Sequence, residues 1–424
     1  MQMGWTQRGT GGTWLLPLLF AALCMYSLAT LWSVTEGIRG PYEALDAGVP
    51  KSVFWRQCVW IVLGTGAFLL ARTTRLQLIE EATPLLYIGA VGLLALVLLV
   101  GPEVSGARRW FAFGPVRFQP SEPAKIVLIL ALARLFSLQH LRERPVLPVA
   151  GSILLMMLPA FLVLREPDLG TSLVFVAIWL GAVFWFGLSW VFILAAGSPL
   201  LSAAVGFYSE SILQEPWPWG LYLLVLLVAL TVARFRLLES FLLVLANILA
   251  GIGISFFWEG LKPYQQERIL TFFDPSRDQF GSGYQAIQSK VAIGSGGLFG
   301  KEYLQGTQKG LAFLPERQTD FIFSVVGEEL GFVGAVLLIA LYVLIILKGL
   351  EIAAAARKPF SSTVAVGVVV FFSFHVLVNI AITTGLLPVT GLPLPIMSYG
   401  GSNLLVSAFL LGLLANVGSR NFES

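Results

Sequence analysis

Charge is scarce. Only 12% of the 424 residues are Asp, Glu, Lys or Arg, about half the roughly 25% usual in a soluble domain. With 57% hydrophobic residues and a mean hydropathy of +0.82, a water-soluble globule is excluded. Cysteine is scarcer still: two in the chain, Cys24 and Cys58, each inside an apolar run, which excludes a disulfide scaffold and makes a thiol metal or redox site improbable. Two histidines, His140 and His375, leave no set for a histidine metal centre. A basic excess is also missing, at 27 Lys+Arg against 24 Asp+Glu, so no nucleic-acid partner is expected. Internal repeats and low-complexity tracts are absent.

What is present is a series of apolar runs of the length a helix needs to cross a bilayer core of about 30 Å. The polar breaks divide them into twelve expected spans, near 14–33, 53–71, 84–101, 122–138, 147–164, 169–186, 190–207, 219–233, 237–258, 321–348, 361–384 and 394–418. The first follows Arg8 as a signal peptide would, but it is long and lacks a small-residue cleavage site. The expected fold class is an all-α polytopic membrane protein of about 12 transmembrane helices, a single membrane domain over 1–424 with one large extracytoplasmic loop at 259–320. An even count puts both termini on one side, taken as cytoplasmic.

That orientation leaves 15 of the 27 cations outside, four of them in 102–125 and seven in 259–320. The short turns holding Arg72/Arg75, Arg234/Arg236 and Arg357/Lys358 obey the positive-inside rule, and the outer excess sits in two loops. Cations kept on that side suggest an anionic ligand there, although a long loop carries charge at little topological cost.

The large loop combines Asp274-Pro275, Arg277, Asp278 and two glycines, Gly281 and Gly283, whose backbone freedom lets a loop press against a ligand. An Asx turn explains Asp274, and a solvated loop aspartate is the bland reading of Asp278. From Gln285 to Gly300 the pattern predicts a short amphipathic helix at the interface followed by a glycine turn. Glu302 after Lys301 rules out a P-loop. Thr319 or Asp320 is a candidate N-cap for the next span, inside which Glu328 and Glu329 require a polar cavity or a partner. In the other basic loop Ser121 is a candidate N-cap and Glu122 suits the first turn, whereas Lys125 reads either as the partner of Glu122 or as aimed at an anion. Asp168 is a candidate N-cap, and His375 and Asn379 share a face as interior hydrogen-bonding groups.

In order along nearly the whole chain, six motifs resemble the SEDS (shape, elongation, division and sporulation) proteins. They are Gln119-Pro-Ser-Glu-Pro-Ala-Lys125, Pro167-Asp-Leu-Gly-Thr171, Asp274-Pro to Tyr284, Leu314-Pro-Glu to Phe323, Glu328-Glu-Leu-Gly331 and Pro393-Leu-Pro-Ile-Met-Ser-Tyr-Gly-Gly-Ser402. Leu304 to Gln308 and Leu314 to Arg317 look more like the elongation branch than the division branch. The resemblance implies a peptidoglycan glycosyltransferase that polymerises lipid II into nascent glycan on the outer face of the bacterial inner membrane, working with a class B penicillin-binding protein. It places the catalytic carboxylate at Asp278 and substrate-binding or supporting groups at Arg109, Glu122, Lys125, Asp168, Glu316 and Ser398. The chain departs from the family pattern at Gln279, where proline is usual, and at Gln318, where histidine is usual. The family also has ten spans with the large loop after the seventh, so 215–258 reads as an inserted transmembrane hairpin or a split seventh helix.

In the mechanism this implies, Asp278 takes the proton of the acceptor 4-hydroxyl, and Arg109 and Lys125 stabilise the departing undecaprenyl pyrophosphate. A divalent cation, Mg²⁺ or Mn²⁺, suits the chemistry, although no ligand cluster in the sequence demands one. Membrane lipid surrounds the spans. The alternatives are a lipid II flippase, which would favour inverted repeats that are not found, and a non-catalytic scaffold for a penicillin-binding protein, which leaves the charges of 259–320 unexplained.

Overall fold

A computed structural model describes residues 14–36, 49–103, 107–114, 116–138, 146–188, 190–260, 266–267, 270–272, 282–306 and 316–420. It divides into two compact units, one of residues 1–182 and 274–424, the other of 183–273.

The larger unit holds α1 (Leu15–Glu36), α2 (Ser52–Thr73), α3 (Leu76–Val100), a hairpin of β1 (Phe111–Phe113) and β2 (Val116–Phe118), α4 (Ser121–Ser137), α5 (Val146–Arg165) and most of α6 (Leu169–Phe186). After the large loop come α10 (Ser282–Ser295), α11 (Ile322–Glu329), α12 (Gly331–Ala355), α13 (Pro359–Thr383) and α14 (Gly401–Arg420). The smaller unit is built on α7 (Trp190–Phe207), a π turn at Tyr208–Leu213, α8 (Trp217–Val232) and α9 (Leu237–Gly260). Nine of the described helices are long and apolar enough to cross a membrane, and the runs expected at 122–138, 190–207 and 219–233 are also helical, as α4, α7 and α8. Large apolar side chains such as Val62, Leu85 and Leu99 stand exposed on the helix faces, as they do when lipid is the solvent. The protein is a multi-pass membrane protein.

Small residues set the closest packing. A Cβ on Gly401 would stand 2.2 Å from the Trp60 ring, one on Gly64 2.4 Å from Leu404, and one on Gly412 2.2 Å from the Phe68 carbonyl oxygen. These pairs advance together along both chains, so α2 and α14 run parallel with their backbones almost touching. Gly349 against Val369 and Gly367 against Ile129 bring α12 onto α13 and α13 onto α4 in the same way.

The expected span at 321–348 is two helices. Gly331 has φ +64°, which ends α11 and restarts the chain as α12, and a Cβ there would meet the Gly300 nitrogen at 2.3 Å. The turn 296–300 fills the gap, accepting Phe332 N–H at Gly297 O (2.9 Å) and Val333 N–H at Leu298 O (3.1 Å). The interface helix expected over 285–300 is α10, and it is tied into the bundle: Ser289 is fully buried, 2.6 Å from both Ser324 Oγ and Thr383 O.

In the smaller unit the hairpin expected at 215–258 is α8 and α9, joined to α7 by a polar network. Asn247 Nδ2 donates to Ser198 Oγ (2.7 Å), Tyr222 OH donates to Asn247 Oδ1 (3.0 Å), and Ser202 Oγ links Trp219 Nε1 (2.9 Å) to Asn247 O (2.8 Å). Every member has a partner, which is what makes a polar cluster tolerable among apolar helices.

Candidate active site at one end of the bundle

A cavity of about 1150 Å³ opens at the end of the larger unit where α2, α4, α6 and α14 begin. Its wall includes the carboxylates Glu122, Asp168, Glu316 and Asp320 and the guanidinium groups of Arg56 and Arg117. Trp55, Trp60 and Trp110 form part of its apolar surface. A mostly apolar concave site with a few converging polar groups is the form a small-molecule or lipid headgroup site takes.

Glu122 and Lys125 form a buried ion pair on the first turns of α4, with Lys125 Nζ 2.7 Å from Glu122 Oε1 and neither side chain more than 5% exposed. His375 Nε2 lies 3.5 Å from the ammonium, and its Nδ1 is 3.2 Å from Pro393 O. Lys125 is therefore the partner of Glu122 and not a wall residue, whereas Glu122 Oε2, which has no hydrogen-bond partner, belongs to a side chain that reaches the cavity. Ser121 makes no capping bond to α4, since Pro120 occupies the cap position.

Arg109 is spent on backbone. Its Nε donates to Glu166 O at 2.8 Å and its Nη2 to Pro167 O, clamping the turn into α6. It is not on the cavity wall. The expectation that Arg109 and Lys125 face the ligand directly is thus corrected: both hold the wall from behind. Glu166 is fully buried with neither carboxylate oxygen hydrogen-bonded. Burial, with a smaller contribution from Asp168 and against the pull of Arg109, raises its pKa to about 9.

Asp168 is the expected N-cap, accepting Thr171 N–H at 3.1 Å and Thr171 Oγ1–H at 3.0 Å. Glu316 lines the cavity and accepts from Thr319 Oγ1 at 3.1 Å. Ser398 does not line the cavity: it is buried, donates to Thr319 O (2.6 Å) and accepts Leu394 N–H (2.9 Å), fastening the 394–399 turn to the segment that leads into α11. Neither Thr319 nor Asp320 caps α11, because Phe321 stands at that position and makes no side-chain cap. Asn379 Nδ2 binds the carbonyl oxygens of Asp320 (2.9 Å) and Leu392 (2.8 Å), an interior role as expected. Glu328 pairs with Lys301 at 3.2 Å, and Glu329 accepts from Ser33 Oγ at 2.6 Å. Asp274 and Asp278 lie outside the described residues. Among the described residues no three His, Cys, Asp or Glu side chains gather as a metal site.

Sequence reasoning missed Arg56 and Asn403. Arg56 counted only as one of three cations, with Arg39 and Lys51, in the expected outer segment 34–56. Asn403 is buried on the cavity wall with both amide atoms unpaired. The available signal was position, since each falls in the first turns of a helix that begins at the same end of the bundle as α4 and α6.

The FtsW/RodA/SpoVE family, described as "Cell cycle protein", matches residues 13–218 and 219–422. The chain belongs to that family. The break between the two matched segments falls at the start of α8. The chain is 36% identical over 401 residues to the peptidoglycan glycosyltransferase MrdB of Escherichia coli K12, covering 94% of this chain and 91% of that one. It is 32% identical over 436 residues to the peptidoglycan glycosyltransferase RodA of Treponema pallidum, covering 95% and 97%. Among solved structures it is similar to a chain of a peptidoglycan synthase complex, with a TM-score of 0.69, 33% identity and coverage of 97% and 98%. The crystal structure of the rod shape determining protein RodA of Thermus thermophilus gives a TM-score of 0.60, 29% identity and the same coverage.

Proposed function

We propose that the protein is a peptidoglycan glycosyltransferase that polymerises lipid II into glycan strands on the outer face of the bacterial inner membrane during cell elongation. The carrying observation is the wide cavity at one end of the bundle, lined by carboxylates, guanidinium groups and tryptophans, in a chain matched over 94–95% of its length by relatives named for that activity. The acceptor 4-hydroxyl oxygen attacks the anomeric carbon of the lipid-linked sugar and forms the new glycosidic bond. The bond from that carbon to the pyrophosphate oxygen breaks, and undecaprenyl pyrophosphate leaves with the electron pair. The proton passes to a carboxylate, assigned by resemblance to Asp278, a step worth about 10²–10⁴ in rate. A single displacement inverts the anomer.

Glu122 and Asp168 face the reacting groups, while Lys125 and Arg109 hold them in place. The proposed partner is a class B penicillin-binding protein, in keeping with the likeness to a synthase-complex chain. Both termini are assigned to the cytoplasm.

The test is to supply purified protein with lipid II and Mg²⁺ or Mn²⁺ and to resolve the glycan on a gel. Wild type should give polymer and Asp278→Asn should not. Polymer from isolated wild type excludes a flippase or scaffold as the sole function, and undiminished polymer from Asp278→Asn removes the base assignment.

A further inference from the structure

The cations first expected to meet the pyrophosphate are occupied elsewhere, which raises the question of what in the cavity can hold it. The answer lies where α14 begins. Gly400, Gly401, Ser402 and Asn403 all line the cavity. The first α14 bond runs from Leu404 N–H to Gly400 O (3.0 Å), so the amides of Gly401, Ser402 and Asn403 precede any intrahelical partner. No acidic residue stands in the first turn. A 20-residue helix thus presents free N–H groups and the positive end of its dipole to the cavity. A Cβ on Gly400 would find nothing closer than 3.9 Å, so the backbone there is open to close approach.

Two further observations point to a ligand at that place. Asn403 is 5% exposed, lines the cavity, and has neither Nδ2 nor Oδ1 hydrogen-bonded. A buried amide with both ends unpaired is an arrangement proteins avoid unless something outside the chain completes it. Independently, α2 runs parallel to α14 with Trp60 against Gly401. Arg56 is four residues earlier on the same face of α2, about 6 Å further along the axis. That carries it past the first residue of α14, in front of the helix end, and its side chain lines the same cavity. Arg56 has no ion pair among the described residues, whereas Glu122 is bound to Lys125 and Asp168 to Thr171.

We infer that the α14 N-terminus, Asn403 and Arg56 form the diphosphate subsite of the cavity. The backbone amides and Asn403 Nδ2 take phosphate oxygens and Arg56 takes the charge that grows on the leaving group. Asn403 Oδ1 accepts from a hydroxyl of the attached sugar. This rests on the glycosyltransferase reading above, but it is tested without turnover.

The experiment measures binding of geranylgeranyl pyrophosphate, with geranylgeraniol as the uncharged control, to the full chain in detergent. Wild type should bind the pyrophosphate much more tightly than the alcohol. Arg56→Gln should weaken pyrophosphate binding by at least about tenfold, with Arg56→Lys in between. Asn403→Asp, nearly isosteric but anionic, should weaken it more than Asn403→Ala, and the alcohol should bind all variants alike. Should Arg56→Gln not purify as a single species, Arg56→Lys and Asn403→Asp carry the comparison alone. Unchanged pyrophosphate affinity in Arg56→Lys and Asn403→Asp overturns the subsite. So does tolerance of Asn403→Asp combined with loss in Asn403→Ala, which would make Asn403 a reader of neutral sugar groups only. Glycan synthesis by wild type in the same preparation reports separately on the activity, so either conclusion can fail alone.

Discussion

Lys125 Nζ sits 2.7 Å from Glu122 Oε1 with the ammonium fully out of solvent and His375 closing the far side. The pair is an internal strut of α4 whose Glu122 side chain lines the cavity. Removing the cation strands a buried anion, whereas removing both charges together does not. Lys125→Met should lower stability by about 3–5 kcal/mol, and Lys125→Met with Glu122→Leu should recover most of it. Thermal unfolding of the three variants in detergent checks this. Lys125→Met as stable as wild type would mean that the ammonium contributes nothing to holding Glu122.

Glu166 gives the fold a pH dependence with a definite sign. Its carboxyl is buried beside Asp168, which raises its pKa to about 9 in the folded protein from an ordinary 4.5. A raised folded pKa means that its contribution to stability is complete below about pH 4.5 and is lost as pH rises toward 9. By pH 7 the loss is on the order of 3 kcal/mol. Glu166→Gln copies the protonated form, so its stability should be flatter between pH 5 and 9 and should exceed that of wild type at the alkaline end. Parallel pH profiles for the two proteins would exclude the assignment.

The α2–α14 contact depends on glycine at one position and not at its neighbour. A Cβ on Gly412 would stand 2.2 Å from backbone of Phe68, which cannot move aside as a side-chain tip could, whereas Gly66 on α2 has nothing within 4 Å. Gly412→Ala should cost about 1–3 kcal/mol through overpacking, and Gly66→Ala should leave stability unchanged or slightly raised. The melting temperatures decide, and because α14 carries the cavity wall at its first turn, Gly412→Ala should also reduce polymer yield.

The sequence was most legible where one simple requirement dominates. A span needs length and apolarity, and the twelve runs emerge as α1 to α9 and α12 to α14, with ends shifted by a few residues to about ten. The split at Leu330 was hidden because composition is continuous across it; the cause is tertiary, the turn 296–300 pressing backbone against Gly331. For the site, motif position singled out Glu122 and Asp168, and both line the cavity. It could not tell a cation that lines the cavity from one that braces the wall, since Arg109 and Lys125 differ from Arg56 only in which partners the fold brings to them. Partner assignment is a property of packing, and one sequence does not contain it.

The smaller unit depends on Asn247 in a way that local unfolding should expose. Its amide joins Ser198 on α7 to Tyr222 on α8, with 2.7 Å and 3.0 Å bonds, and its carbonyl holds Ser202, which holds Trp219. Asn247→Ala removes the two amide bonds that cross to α7 and α8, while Ser198 Oγ keeps its bond to Ala195 O and Tyr222 OH its bond to Ser198 O. Interhelical bonds of this kind contribute about 1–2 kcal/mol at most, so the change should not unfold the chain. It should instead raise the rate of local opening by roughly tenfold. Hydrogen exchange should show faster labelling in α7 to α9 and none in α2 and α14, whose packing rests on glycine contacts inside the larger unit. Labelling that rises equally in both units would mean that they open as one cooperative body.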